Sequence, residues 1–134
     1  MAPYTTTKDA AIAHAALVDT FKSGKTKQLA WRKWQLKQIF FMVKDNENAI
    51  SEALNKDLNR SEFENVFMDI GGALHDVIYH LDHVEEWAAD QIPDAGFFFG
   101  QLCKPRIRQE PLGVALIIGA FNFPVNLVSH PQSL

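Results

Sequence analysis

Between Lys8 and Asp90 the apolar residues recur at the three- and four-residue steps of amphipathic helices. Four helices are predicted. The first, from about Lys8 to Lys22, carries Ala10, Ala13, Leu17 and Phe21 on one stripe. Thr7 can cap it, Asp9 suits the positive end of its dipole, and Gly24 offers a stop. The second, from about Lys27 to Lys44, turns Leu29, Leu36, Ile39, Phe40 and Val43 inward. The third is short, near Glu47 to Asp57, with Asn46 as its cap and Ile50, Ala53 and Leu54 inward. The fourth opens on Ser61 and Glu64, which fit a capping box. It continues through Phe67, Ile70, Leu74, Val77, Leu81, Val84 and Ala88 as a narrow packing seam reaching about Asp90. Gly71 and Gly72 interrupt that helix. Each costs about 1 kcal/mol against alanine, so close approach of a neighbour is predicted there.

The pattern changes after Ile92. Pro93, Gly96 and Gly100 break helix, and Phe97-Phe98-Phe99 between the glycines reads as packing under a loop, with membrane or substrate contact the rarer use. Leu102 to Gln109 alternates as an exposed strand or hairpin arm, and Glu110-Pro-Leu-Gly113 as a turn. Val114 to Ile118 is apolar at every position, as in a strand buried on both faces of a parallel sheet. Gly119-Ala120 ends that strand, and Pro124 can open a helix. The predicted fold class is therefore α/β: a four-helix region, a hairpin arm, and one buried strand. Such a strand needs neighbours on both sides, and only one appears. Either it pairs with another molecule or its neighbours lie in further chain; further chain is the preferred expectation.

Composition narrows the function classes. The 134 residues suit one domain or part of one, and 47% hydrophobic with 22% charged residues indicates a globular chain. A net charge of −3 with scattered Lys and Arg argues against a nucleic-acid partner. The single cysteine, Cys103, rules out an intrachain disulfide and fits a reducing, cytoplasmic location. The start lacks the basic and apolar regions of a secretory signal, and no apolar stretch approaches the roughly 18 residues of a membrane span. Asp76, His80 and His83 share a helix face, but without a partner motif they read as a solvated polar face, and no metal is expected. Cys103 reads as an inert thiol.

The chemistry concentrates in the run Glu110-Pro-Leu-Gly-Val-Ala-Leu-Ile-Ile-Gly-Ala-Phe-Asn-Phe-Pro124. It sets small residues, an aromatic and an asparagine at the carboxyl end of the apolar stretch, the edge where open α/β sheets bind ligands. Gly119 and Ala120 lack bulk, so a cofactor could approach the backbone. Asn122 offers a neutral N–H donor that can hold a carbonyl oxygen as it gains charge during nucleophilic attack. Equally, Asn122 can serve as the cap of a helix beginning at Phe123 and Pro124. The residues alone leave both roles open.

This run resembles the segment of the aldehyde dehydrogenase superfamily that leads to its catalytic asparagine. Phe21-Lys-Ser-Gly-Lys-Thr26, Glu52-Ala-Leu-Asn-Lys-Asp-Leu58 and Trp87-Ala-Ala89 are similar to the class 3 branch, which includes the fatty aldehyde enzymes. The likeness covers about residues 8 to 127. It implies oxidation of aldehydes to carboxylic acids with NAD or NADP, by a cysteine thiolate that attacks the aldehyde and a glutamate-activated water that releases the acid. It implies that Asn122 is the oxyanion donor and that Ile118, Gly119, Ala120 and Phe121 line the cofactor cleft. The family usually has tryptophan where Phe121 stands, so the aromatic wall is kept and an indole donor is lost. Residues 1–92 then read as an N-terminal helical region, and 93–134 as the start of a cofactor-binding and oligomerisation region in an incomplete Rossmann-like domain. A homodimer is implied for the full-length protein. The nucleophilic cysteine, the general-base glutamate and the dinucleotide-gripping residues fall beyond Leu134, and Cys103 matches none of them. The expected reading is the N-terminal part of such an enzyme, inactive alone. The alternative is a non-catalytic helical module that pairs with a longer subunit. Ser129 to Leu134 is more polar than the family's helix at that point and is expected to lie outside the likeness.

Overall fold

The computed structural model describes residues 4–133. Helix α1 spans Thr7–Lys22. Its cap is Thr6, one residue before the predicted Thr7: the Asp9 N–H donates to the Thr6 hydroxyl oxygen at 3.1 Å, and that hydroxyl donates to the Asp9 carboxylate at 2.6 Å. Gly24 ends the element in the left-handed conformation at φ 75°, where a side chain would be strained. A single 3₁₀ turn, Lys25–Lys27, leads into α2 (Leu29–Asp45), which is followed by α3 (Glu47–Leu58). Asn46 lies between them, but its side chain donates back to the Met42 carbonyl at 2.7 Å. It therefore closes α2 and gives α3 no side-chain cap.

The capping box is present as the sequence indicates. The Glu64 N–H donates to Ser61 Oγ at 3.2 Å, and the Ser61 N–H donates to the Glu64 carboxylate at 3.0 Å. The bonds from the Ser61 backbone and hydroxyl hold the Glu64 carboxyl below the ordinary glutamate range. A lowered carboxylate pKa stabilises the fold above the unfolded-state value, and the stabilisation disappears as pH falls through the lowered one. Ser61→Ala is expected to cost about 1 kcal/mol near neutral pH. Urea midpoints should show that gap narrowing below the ordinary glutamate pKa of about 4.3; an equal gap at all pH values would contradict it.

From this cap a continuous helix runs through α4 (Glu62–Glu64) and a π-helical stretch, Asn65–Ile70, into α5 (Gly71–Ala88). α5 packs on α2 along one side and on α7 (Asn126–Ser133) along another. The core is Leu36 and Val43 of α2, Leu54 of α3, Ile70, and Ala73 and Val77 of α5. The predicted seam is buried at Ile70 and Val77 and half-buried at Leu74, Leu81, Val84 and Ala88, but it slips at its start. Phe67 is 70% exposed, whereas Asn65 and Asp69 are fully buried. The π-helical stretch accounts for the slip: Asn65, Phe67 and Asp69 lie within it, and its wider turn shifts their faces relative to the one that α5 continues. His80 is buried as well, correcting its placement on a solvated face, while Tyr79, His83 and Trp87 stack outside. α1 buries none of its residues, so its apolar stripe is not a core face among the described residues.

The second part of the chain departs from expectation. The α/β prediction is overturned: no strand forms among the described residues, and with no strand there is no Rossmann-like sheet. Residues 111–120 have no regular structure, and Leu116 and Ile118 are each 86% exposed where a strand buried on both faces was predicted. A strand exists through its ladder, and an apolar run without a partner has nothing to bond its N–H and C=O groups. The hairpin arm reduces to one antiparallel bridge between Gln91 and Ile107, with hydrogen bonds of 2.9 and 2.8 Å. Residues Gly96–Cys103 form a helix, α6, despite their two glycines. Phe97, Phe98 and Phe99 are 88%, 67% and 62% exposed on it rather than packed under a loop. At the far end, α7 continues through Ser133, so the polar tail is helical after all; Leu134 lies outside the described residues.

Candidate functional site

The run from Glu110 to Pro124 is tied to the helices at its two ends. At its start the Lys27 ammonium meets the Glu110 carboxylate at 2.6 Å and holds that carboxyl below its ordinary range. Just before it, Asp90 faces Arg108 at 3.2 Å and Arg106 at 3.6 Å, and the hydrogen bond from Arg108 lowers the Asp90 pKa. The basic partners of these pairs are largely exposed, so the pairs add little stability. They flank the Gln91–Ile107 bridge and fix where the run begins.

The other end is held more firmly. Asp69 is fully buried. One of its carboxylate oxygens accepts the Asn126 N–H at 2.7 Å, and the other meets the Arg60 guanidinium at 3.2 Å. Arg60 also donates to the backbone carbonyl of Asn122 and lies 4.3 Å over the Phe123 ring. Gly72 allows the approach of α7, because a Cβ there would lie 2.6 Å from the Asn126 side-chain nitrogen. That is the close neighbour the sequence asked for at these glycines. At Gly71 a Cβ would instead come within 2.8 Å of the Val66 carbonyl oxygen inside the same helix.

The predicted site residues fall together on one stretch. Ile118, Gly119, Ala120, Phe121 and Asn122 are all exposed, with Phe121 at 80%. Gly119 is approached on its Cβ side by the Val128 side chain of α7, so that side is closed to a ligand. Asn122 stands in a turn spanning residues 121–125, four residues before α7 begins. The first helical N–H groups bond to Asp69, Phe123 and Val125 acceptors, and the Asn122 side chain takes no hydrogen bond among the described residues. The capping role that competed for Asn122 is filled from a distant helix by Asp69. Cys103 is exposed at the end of α6, on a different element from Asn122. An open apolar hollow lined by Phe63, Val66, Phe67 and Gly71 includes none of these residues. No group of three or more His, Cys, Asp or Glu among the described residues could hold a metal ion, and no described helix is long and apolar enough to cross a membrane.

A sequence model of the aldehyde dehydrogenase family matches residues 1–132, through the buried helices, the exposed run and α7 together. The chain belongs to the aldehyde dehydrogenase family. The match runs through residue 132 and so takes in most of the polar tail that was expected to lie outside the likeness. The chain is 37% identical over 118 residues to the beta-apo-4'-carotenal oxygenase of Gibberella fujikuroi, covering 84% of this chain and 22% of that protein. It is 35% identical over 114 residues to the dimeric NADP-preferring aldehyde dehydrogenase of Mus musculus, covering 85% of this chain and 25% of that one. It is also 34% identical over 113 residues to aldehyde dehydrogenase family 3 member F1 of Arabidopsis thaliana, covering 84% and 23%. The class 3 resemblance is thus supported by relatives from an animal and a plant. The chain spans about a quarter or less of the length of these relatives.

Arg60 and Asp69 were not singled out from the sequence. Asp69 sits one position from the apolar seam at Ile70, and Arg60 directly precedes the capping box. Neither spacing is a motif. Asp69 lies buried within the π-helical stretch, and Arg60, just ahead of the helix, meets both Asp69 and the Asn122 turn.

Proposed function

We propose that this chain is part of an NAD(P)-dependent aldehyde dehydrogenase that oxidises aldehydes to carboxylic acids, with Asn122 as the donor to the substrate's carbonyl oxygen. The observation that carries the reading is the state of Asn122. It lies in the family-like run, it is exposed, and its side-chain amide is not engaged by the helix that follows. A neutral N–H at that point would strengthen its bond as the carbonyl oxygen becomes an oxyanion, which lowers the barrier to attack rather than merely binding substrate. Ile118, Ala120 and Phe121 would form one wall of the cofactor cleft. Their exposed apolar faces suit a flat ring, while the space left by the missing Cβ of Gly119 is taken by Val128 of α7. The nicotinamide cofactor, when bound, accepts the hydride that leaves the substrate carbon.

The nucleophile and the water-activating base would come from other parts of the enzyme, since the one cysteine of this chain lies on α6. Residues 1–92 would act as the helical support, and 93–134 as the start of the cofactor-binding and oligomerisation region. A homodimer is part of the proposal; its support is the name of the mouse relative, which is dimeric. The test is aldehyde-dependent NADH or NADPH formation by the enzyme carrying this chain, beside the 134-residue chain alone. The enzyme should form one carboxylic acid per reduced cofactor, and the chain alone should form none. Turnover by the chain alone, or an enzyme that leaves aldehydes untouched, would overturn the proposal.

A further inference from the structure

We propose that Arg60 and Asp69 are positioning residues for Asn122, acting as a clamp that reaches across from the start of the α4–α5 helix. The inference rests on the reading of Asn122 as the oxyanion donor. The clamp grips the turn at three places. Arg60 donates to the Asn122 carbonyl, its guanidinium lies 4.3 Å over the Phe123 ring, and Asp69 accepts the Asn126 N–H at 2.7 Å. The 3.2 Å contact between Arg60 and Asp69 joins the grips into one unit.

The chemistry of the pair favours positioning over simple packing. A buried ion pair stabilises a fold no better than apolar side chains of the same shape, because desolvation offsets much of the attraction. Asp69 is fully buried, and the Arg60 side chain is only 15% exposed. What apolar residues could not do is fix a peptide plane. The bond to the Asn122 carbonyl sets the orientation of the peptide that follows Asn122. The bond to the Asn126 N–H sets the start of α7 four residues on. Between them the direction of the Asn122 side chain is constrained although the side chain itself is exposed. The guanidinium suits this task, since its planar fork can serve a carboxylate and a carbonyl at once while its face covers an aromatic ring. The π-helical stretch belongs to the same device: it turns Asp69 inward beside Ile70, and such stretches are frequent at functional sites.

The experiment is a double-mutant cycle in the enzyme carrying this chain, with steady-state kinetics on an aliphatic aldehyde and NAD or NADP. Arg60→Lys keeps the charge beside Asp69 but loses the fork, so kcat should fall about tenfold with the cofactor KM unchanged. Asp69→Asn keeps an acceptor for the Asn126 N–H and gives up the ion pair, and a similar loss is expected. In an Asn122→Ala background Arg60→Lys should cost nothing further, because it acts through the side chain already removed. If the two losses multiply, or if Arg60→Lys leaves kcat unchanged, the clamp is structural only and the proposal falls. If Asn122→Ala alone leaves kcat unchanged, the oxyanion reading itself fails, an outcome distinct from the other two. The exchange rate of the Asn126 amide is a second readout that does not depend on turnover. Unchanged protection of that amide in a folded Asp69→Ala variant would also overturn the clamp.

Discussion

Asp69→Ala is expected to lower the unfolding free energy of the chain by about 3 kcal/mol, the lower end of the cost of removing one partner from a buried ion pair. The lower end applies because Arg60, left behind, keeps some access to water at 15% side-chain exposure. The loss has two sources. Arg60 would remain partly desolvated with only the Asn122 carbonyl to bond, and the Asn126 N–H would lose its acceptor at the start of α7. Ordinary domains hold roughly 5–15 kcal/mol in all, so the change would be large. Urea denaturation followed by helical circular dichroism would measure it. Asp69→Asn should be milder, since it can still accept the Asn126 N–H. A loss below about 1 kcal/mol for the alanine variant would show that solvent already reaches the pair.

The helices were legible because their cause is local. The capping box at Ser61 and Glu64, the left-handed stop at Gly24 and the core positions Leu36, Val43, Leu54, Ile70 and Val77 follow from spacing and side-chain chemistry. Errors arose where the cause was not local. Nothing in the sequence marks the π-helical stretch, yet its one-residue slip exposes Phe67 and buries Asp69. Asn46 and Thr7 were plausible caps, but Asn46 found the Met42 carbonyl first and Thr6 took the bond assigned to Thr7. Val114 to Ile118 has the composition of a buried strand, but composition cannot supply a ladder. The stretch lies exposed and without regular structure. The two glycines around Phe97 to Phe99 suggested a loop, but eight residues of apolar character closed into α6 all the same.

The candidate site was half legible. The run ending in Asn122 stood out by its small residues and asparagine, and the family match agrees with the resemblance it carried. Its support was hidden. Arg60 lies 62 residues before Asn122 in sequence, and Asp69 lies 57 residues before Asn126. Periodicity reports which face a residue occupies within one element, not which distant backbone group it will meet.

Everything proposed for this chain turns on Asn122, and its replacement has the largest expected effect. Asn122→Ala in the enzyme carrying this chain should lower kcat by roughly 10²–10³, the loss seen when one oxyanion donor is removed. The fold should be preserved, because the Asn122 side chain is exposed and Arg60 holds only its backbone carbonyl. KM for the aldehyde should change little, since the bond strengthens mainly as charge develops on the oxygen. Asn122→Asp should be at least as damaging, because an ionised carboxylate has no N–H to offer and repels the oxyanion. The decisive measurement is steady-state kinetics of Asn122→Ala beside the unaltered enzyme, with thermal midpoints taken in parallel. A fall of two to three orders of magnitude in kcat at an unchanged midpoint is the predicted result. A kcat within about threefold of the unaltered enzyme would contradict the assignment of Asn122 as the oxyanion donor.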